Sequence, residues 1–187
     1  MEKTKVWNWL AKNYDDEVGE ETIAITRKYL GKDDIALDYG CARGAYSIAL
    51  AGDVKEIRGI DISPEMINYA KERSAEIDFK TASIFDIDDK YDVVLAYNIL
   101  HLVEDTEKVM QKIEDILNPG GVFISTTTCM KEKLLLRFFG FFIGLFGVLD
   151  LKNFKISELK EAISDRFEIV ETKLFTEHHI LIVAKRS

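Results

Sequence analysis

The chain of 187 residues is long enough for one full hydrophobic core and too short for a comfortable second domain. Apolar residues make up 47% and charged residues 31%, which excludes a disordered chain, and a net charge of -8 without a basic block disfavours nucleic acid as a partner. Cys41 and Cys129 show no metal-ligand or disulfide spacing, and the N-terminal stretch lacks a continuous apolar run of signal-peptide length, so reduced thiols, no metal and a cytoplasmic protein are expected.

Val6, Trp9, Leu10 and Tyr14, then Ile23, Ala24, Arg27 and Leu30, fall at three- and four-residue spacings that predict two amphipathic helices, the second stopped by Gly31. Strands and helices then alternate. A strand over Ile35 to Tyr39 leads into a helix from about Gly44 to Ala51. A strand over Glu56 to Ile60 leads into a helix over Pro64 to Ser74, with Ser63 as N-cap and Pro64 in the first turn. A third strand, Ile77 to Ala82, gives way to an acidic loop. Tyr91 to Tyr97 is a nearly continuous apolar run of the kind buried on both faces of a parallel sheet. A helix starting at Asp105 or Thr106 ends at Asn118-Pro119-Gly120-Gly121, before a strand over Val122 to Thr126. Phe167 to Phe175 and Ile180 to Lys185, joined by a short turn at Thr176 to His179, predict a hairpin that adds one antiparallel strand.

The run ALDYGCARGAYSIALA at Ala36 to Ala51 is an apolar strand entering a glycine-rich turn that opens a helix, with the acid Asp61 about 20 residues beyond the first glycine. That is the layout of a nucleotide pocket at the carboxyl ends of the strands. Gly40, Ala42 and Gly44 keep side chains off the turn. Asp38, placed at the end of the first strand, would oppose a pyrophosphate and favour a ligand carrying an ammonium and a sulfonium, while Asp61 suits a pair of ribose hydroxyls.

LDYGCARG at Leu37 to Gly44 resembles the first motif of class I S-adenosylmethionine-dependent methyltransferases, and GIDISPEMINYAKE at Gly59 to Glu72 resembles their second. YDVVLAYNILHLVED at Tyr91 to Asp105 is similar to the fourth-strand motif of the small-molecule branch (methyltransferase type 11-like), and LNPGGVFI at Leu117 to Ile124 to the turn before the fifth strand. The resemblance implies a Rossmann-like α/β fold: a seven-stranded, mostly parallel sheet with one antiparallel strand and helices on both faces. It also implies S-adenosylmethionine as methyl donor, a small-molecule acceptor, and a donor site drawn from Tyr14, Asp38, Gly40, Cys41, Ala42, Gly44, Asp61, Ile62, Met66, Ser83, Ile84 and Asn98. Ala42 stands where the motif has glycine, which is tolerable at negative φ, and Ser83 stands where the family often has an acid facing the adenine amine.

His101, just past Asn98, is the candidate to take a proton from an acceptor. Methyl transfer from a sulfonium is also served by alignment and desolvation alone. His178 and His179 are expected at the surface. The chain divides into N-terminal helices (1-30), a donor-binding core (31-128), an acceptor-side lid insertion (129-165) and a C-terminal hairpin (166-187). Leu134 to Leu149, LLLRFFGFFIGLFGVL, has 12 uninterrupted apolar residues after Arg137, short of the ~20 that span a bilayer. It reads as a cover over a lipophilic acceptor, an interfacial membrane contact, a homodimer contact or a helix completing the core. A non-catalytic S-adenosylmethionine-binding module working through this segment is the competing function. A nicotinamide-dependent oxidoreductase fits the turn but neither Asp38 nor the downstream motifs.

Overall fold

The computed structural model describes residues 3–14, 17–129 and 155–187. Leu134 to Leu149 lies outside the described residues, as does most of the expected lid insertion. Seven strands form one sheet in the order β3-β2-β1-β4-β5-β7-β6: β1 (Ile35–Tyr39), β2 (Glu56–Asp61), β3 (Asp78–Thr81), β4 (Tyr91–Tyr97), β5 (Leu117–Thr128), β6 (Glu168–Thr176) and β7 (His179–Lys185). Strands β1 to β5 pair in parallel, and β7 runs antiparallel to both β5 and β6. The strand order reverses between β1 and β4, which opens a crevice at their carboxyl ends.

Among the described residues six α-helices flank the sheet: α1 (Lys3–Leu10), α2 (Glu20–Arg27), α3 (Ala45–Leu50), α4 (Pro64–Arg73), α5 (Thr106–Ile116) and α6 (Ile156–Ser164). Alternation along the strands builds two cores. Leu37, Val94, Phe123 and Ile182 pack with Met110 and Ile113 of α5 and with Leu159 and Ile163 of α6. Ala36, Leu95, Ile124 and Val183 pack on the opposite face with Ile23 and Ile25 of α2 and Leu50 of α3. The last part of the expected lid, α6, is thus a core helix.

The caps follow the sequence. Ser63 accepts from the amide of Met66 ahead of Pro64, and Asp105 accepts from that of Lys108. Three expectations need correction. Trp9 is 78% exposed, because α1 turns Val6 inward instead. In α2, Ala24 and Arg27 face solvent while Thr22, Ile23, Ile25 and Thr26 are buried. Asn118 to Gly121 does not precede the fifth strand but is absorbed as an irregularity within β5, between the pairs Tyr91–Leu117 and Val93–Val122.

Candidate functional site

The turn after β1 is tight enough to demand glycine. Gly40 has φ +75 and donates its N–H to the Ile60 carbonyl at 2.8 Å. Gly44, with φ +80, sits one residue before α3, and a Cβ there would fall 2.6 Å from the Phe79 ring. Between them Ala42 has φ +47, so the expectation of a negative φ is overturned: an alanine is held in left-handed backbone. Its amide donates to Asp61 Oδ2 at 3.1 Å, while Asp61 Oδ1 accepts from the amide of Ser63 at 2.9 Å. Burial raises the Asp61 pKa above the ordinary carboxylate value, and the amides of Ser63, Ala42 and Ile62 offset part of that rise.

A cavity of about 380 Å³ opens beside this turn, within the range of small-ligand pockets. Of the expected site residues, Tyr14, Gly40, Ala42, Asp61, Ile62, Met66 and Asn98 line it. Asp38, Cys41, Gly44, Ser83, Ile84 and His101 are not on its wall. The reasons are local. The Asp38 carboxylate is 2% exposed and accepts from the Ser47 hydroxyl at 2.5 Å, so it ties β1 to α3 beneath the turn. Cys41 packs into a small cluster with Ile67, Ala70 and Phe79. Ser83 caps the short turn Ile84–Asp86, accepting from the amide of Phe85 at 3.3 Å, which sends Ile84 into the core and leaves Phe85, 53% exposed, on the cavity wall.

The wall is richer in aromatic rings than the sequence reading anticipated: Trp7, Tyr14, Tyr39, Phe85 and Tyr97 all contribute. Trp7 and Tyr14 meet edge to face at 6.4 Å. Their seven-residue spacing, two helical turns, was the available signal. The N-terminal segment is fastened over the site by Arg43 Nη1, which donates to the Tyr14 carbonyl at 3.2 Å, and by Ser63 Oγ, 2.6 Å from Asn8 Oδ1. The phenol of Tyr39 is held protonated by burial and by the Asp61 charge. Asn98 has φ +52, and its N–H donates to the Thr126 carbonyl at 2.9 Å, pinning the cavity wall to β5. Among the described residues, the charges facing the cavity are Asp61, Glu104, Asp105 and Lys108.

The histidines correct the expectation of a surface position. Because β7 is antiparallel to β5, its first residue pairs with Thr128 and lies at the carboxyl edge of the sheet. The side chain of His178 is 16% exposed, its backbone carbonyl accepts from the amide of Cys129 at 2.6 Å, and His179 Nε2 is buried. His101 is pushed down to about 4 by burial and by His179. Among the described residues no group of three or more His, Cys, Asp or Glu side chains could hold a metal ion. Cys41 and Cys129 are buried and form no disulfide, and burial pushes the Cys129 thiol up to about 11.

The profile of a methyltransferase domain matches residues 30–176. The chain is 29% identical over 134 residues to the demethylmenaquinone methyltransferase of Bacillus licheniformis, covering 64% of this chain and 58% of that protein. It is 30% identical over 99 residues to the ubiquinone biosynthesis O-methyltransferase of Xanthomonas campestris pv. campestris, covering 48% and 41%. It therefore spans about half the length of the curated relatives it matches. Among solved structures, N-methyltransferase NodS from Bradyrhizobium japonicum WM9, in complex with S-adenosyl-l-homocysteine, superposes with a TM-score of 0.77 at 18% identity over 100% of this chain and 99% of that one. Magnesium protoporphyrin IX methyltransferase from Synechocystis PCC 6803 gives 0.71 at 21% over 96% and 93%. Together with the strand order and the position of the cavity, the profile match shows that the chain belongs to the methyltransferase domain family.

Proposed function

We propose that the protein is an S-adenosylmethionine-dependent methyltransferase acting on a small, lipophilic acceptor. The observation that carries this reading is Asp61. Its carboxylate is fixed by two backbone amides on the wall of a cavity whose lining is mostly aromatic and aliphatic, beside the crevice where the strand order reverses. The residues fit the donor. Asp61 would accept from both ribose hydroxyls, Ile62 and Phe85 would flank the adenine, and the backbone of Gly40 and Ala42 would border the amino-acid end. Trp7, Tyr14, Tyr39 and Tyr97 present rings that favour a cation such as a sulfonium. A dinucleotide pyrophosphate would meet Asp61, Glu104 and Asp105, with Lys108 as the one cation on the wall among the described residues. Asp38 lies off the wall, buried under the turn.

The donor supplies a methyl group already activated on a sulfonium, so the chain has to bind, align and exclude water. Asn98 and Tyr14 would border the transferring group, and Met66 the adenine. Neutral His101, next in the chain to the wall residue Leu102, would be the group to take a proton from an acceptor. Contact of Leu134 to Leu149 with a membrane or a second copy belongs to the same proposal, as a route by which a lipophilic acceptor would arrive. The test is calorimetric titration with S-adenosylmethionine, S-adenosylhomocysteine and NADH, on the wild type and Asp61→Asn. Binding of the first two alone, weakened by the substitution, supports the reading; preference for NADH overturns it.

A further inference from the structure

The amides of Ala42 and Ser63 fix the two carboxylate oxygens of Asp61, and both lead on to the N-terminal segment. On one side the Ser63 hydroxyl donates to Asn8 Oδ1 at 2.6 Å. On the other, Arg43, the residue after Ala42, donates from Nη1 to the Tyr14 carbonyl at 3.2 Å. The Arg43 guanidinium lies 4.7 Å from the centre of the Tyr69 ring of α4, and the Arg43 carbonyl accepts from Arg73 Nη1 at 2.9 Å. Asn8 adjoins Trp7, so each of the two ties ends at, or beside, an aromatic residue of the cavity wall.

Ser63 is chemically suited to its tie. An N-cap needs only an acceptor, which the hydroxyl supplies to the amide of Met66 at 3.2 Å, and an aspartate would cap as well. A hydroxyl also has one proton to give, and here it goes to Asn8, so a fully buried side chain has both capacities used. Helix α1 depends on tertiary ties, because eight residues are too few to hold a helix by themselves, and it has neither an acid in its first turn nor a base in its last to favour its dipole. We propose that Asn8 and Arg43 are positioning residues for the methyl donor, an assignment that rests on the methyltransferase reading above: through Ser63 and Ala42 they fasten the segment bearing Trp7 and Tyr14 to the carboxylate assigned to the ribose. Linkage is reciprocal, so the donor is retained more tightly when the segment is fastened, and the segment is held more firmly when the donor is bound.

Both tryptophans of the chain are on α1, and Trp9, 78% exposed, is not on the cavity wall, so Trp9→Phe leaves Trp7 as the sole reporter. In that background S-adenosylhomocysteine is titrated by calorimetry, and acrylamide quenching of Trp7 is read with and without it, for the parent, Asn8→Leu, Asn8→Asp and Arg43→Met. Asn8→Leu and Arg43→Met should each weaken binding about five- to tenfold and lessen the shielding of Trp7 by the ligand. Asn8→Asp, which keeps an oxygen to accept the Ser63 proton, should bind within about twofold of the parent. A merely structural role would instead lower the Tm of the ligand-free chain and leave the affinity of the folded protein unchanged. The assignment is overturned if either Asn8→Leu or Arg43→Met binds the ligand as the parent does, or if Asn8→Asp loses as much affinity as Asn8→Leu. A parent chain that binds no S-adenosylhomocysteine overturns the methyltransferase reading and this assignment with it, and is told apart from the other failures before any variant is compared.

Discussion

The amide of Ala42 donates a 3.1 Å hydrogen bond to Asp61 Oδ2, so a left-handed alanine after β1 and the acid ending β2 hold each other in place. The same bond consumes one lone pair of the residue assigned to the donor ribose and sets the direction of the others. Substitutions at the two positions should therefore separate stability from binding.

Ala42→Gly should stabilise the fold. Glycine adopts φ +47 without the Cβ–carbonyl clash that alanine suffers, and after allowing for the freer unfolded chain the net gain is about 0.5–1 kcal/mol. A rise in Tm with S-adenosylmethionine affinity equal or improved is expected; a fall in Tm would mean that the methyl group packs usefully.

Asp61→Asn should do the reverse for binding. An amide has one acceptor oxygen for two backbone N–H donors, and it loses the charge that strengthens bonds to hydroxyls, a difference of about 1.5–3 kcal/mol or roughly ten- to hundredfold in Kd. Calorimetry checks this directly, and an unchanged Kd would remove Asp61 from the site.

Gly59→Ala probes the floor under the glycine turn. Its Cβ would lie 2.5 Å from Phe79 Cδ1 and 2.9 Å from Cys41 Sγ, an overpacking that should cost about 1–3 kcal/mol. Combining it with Phe79→Leu should cost clearly less than the sum of the two single changes, a coupling read from urea unfolding of all four proteins.

Stability should depend on His101 at mildly acid pH. Its folded pKa of about 4 lies below its ordinary 6.5, so the unfolded chain binds the proton first and stability falls as pH drops from 6.5 towards 4. At pH 5 the loss is about 2 kcal/mol relative to pH 7.5. His179 is lowered by burial and contributes with the same sign. Urea unfolding at the two pH values should show a smaller acid loss in His101→Leu than in the wild type; equal losses would place His101 in contact with water.

The alternation of elements, the parallel core and the antiparallel ending could be read from the chain because they depend on local periodicity and on punctuation by Gly31, Pro64 and Pro119. Asp61, Ile62, Met66 and Asn98 could be read because each stands at a fixed offset from a strand end, and strand ends converge in a parallel sheet. Asp38 lies off the cavity wall because position along β1 is a sequence property, whereas the direction of its carboxylate depends on Ser47 in the first turn of α3. Ile84 and Phe85 exchanged roles because a short capped turn decides which of two adjacent apolar residues faces the core. Linear order alone therefore determined the fold class, the strand-end pocket and the family. Only the tertiary structure decided which side chains face the cavity, that Ala42 is strained, and that His179 lowers the pKa of His101, because those facts depend on packing between segments that nothing along the chain relates.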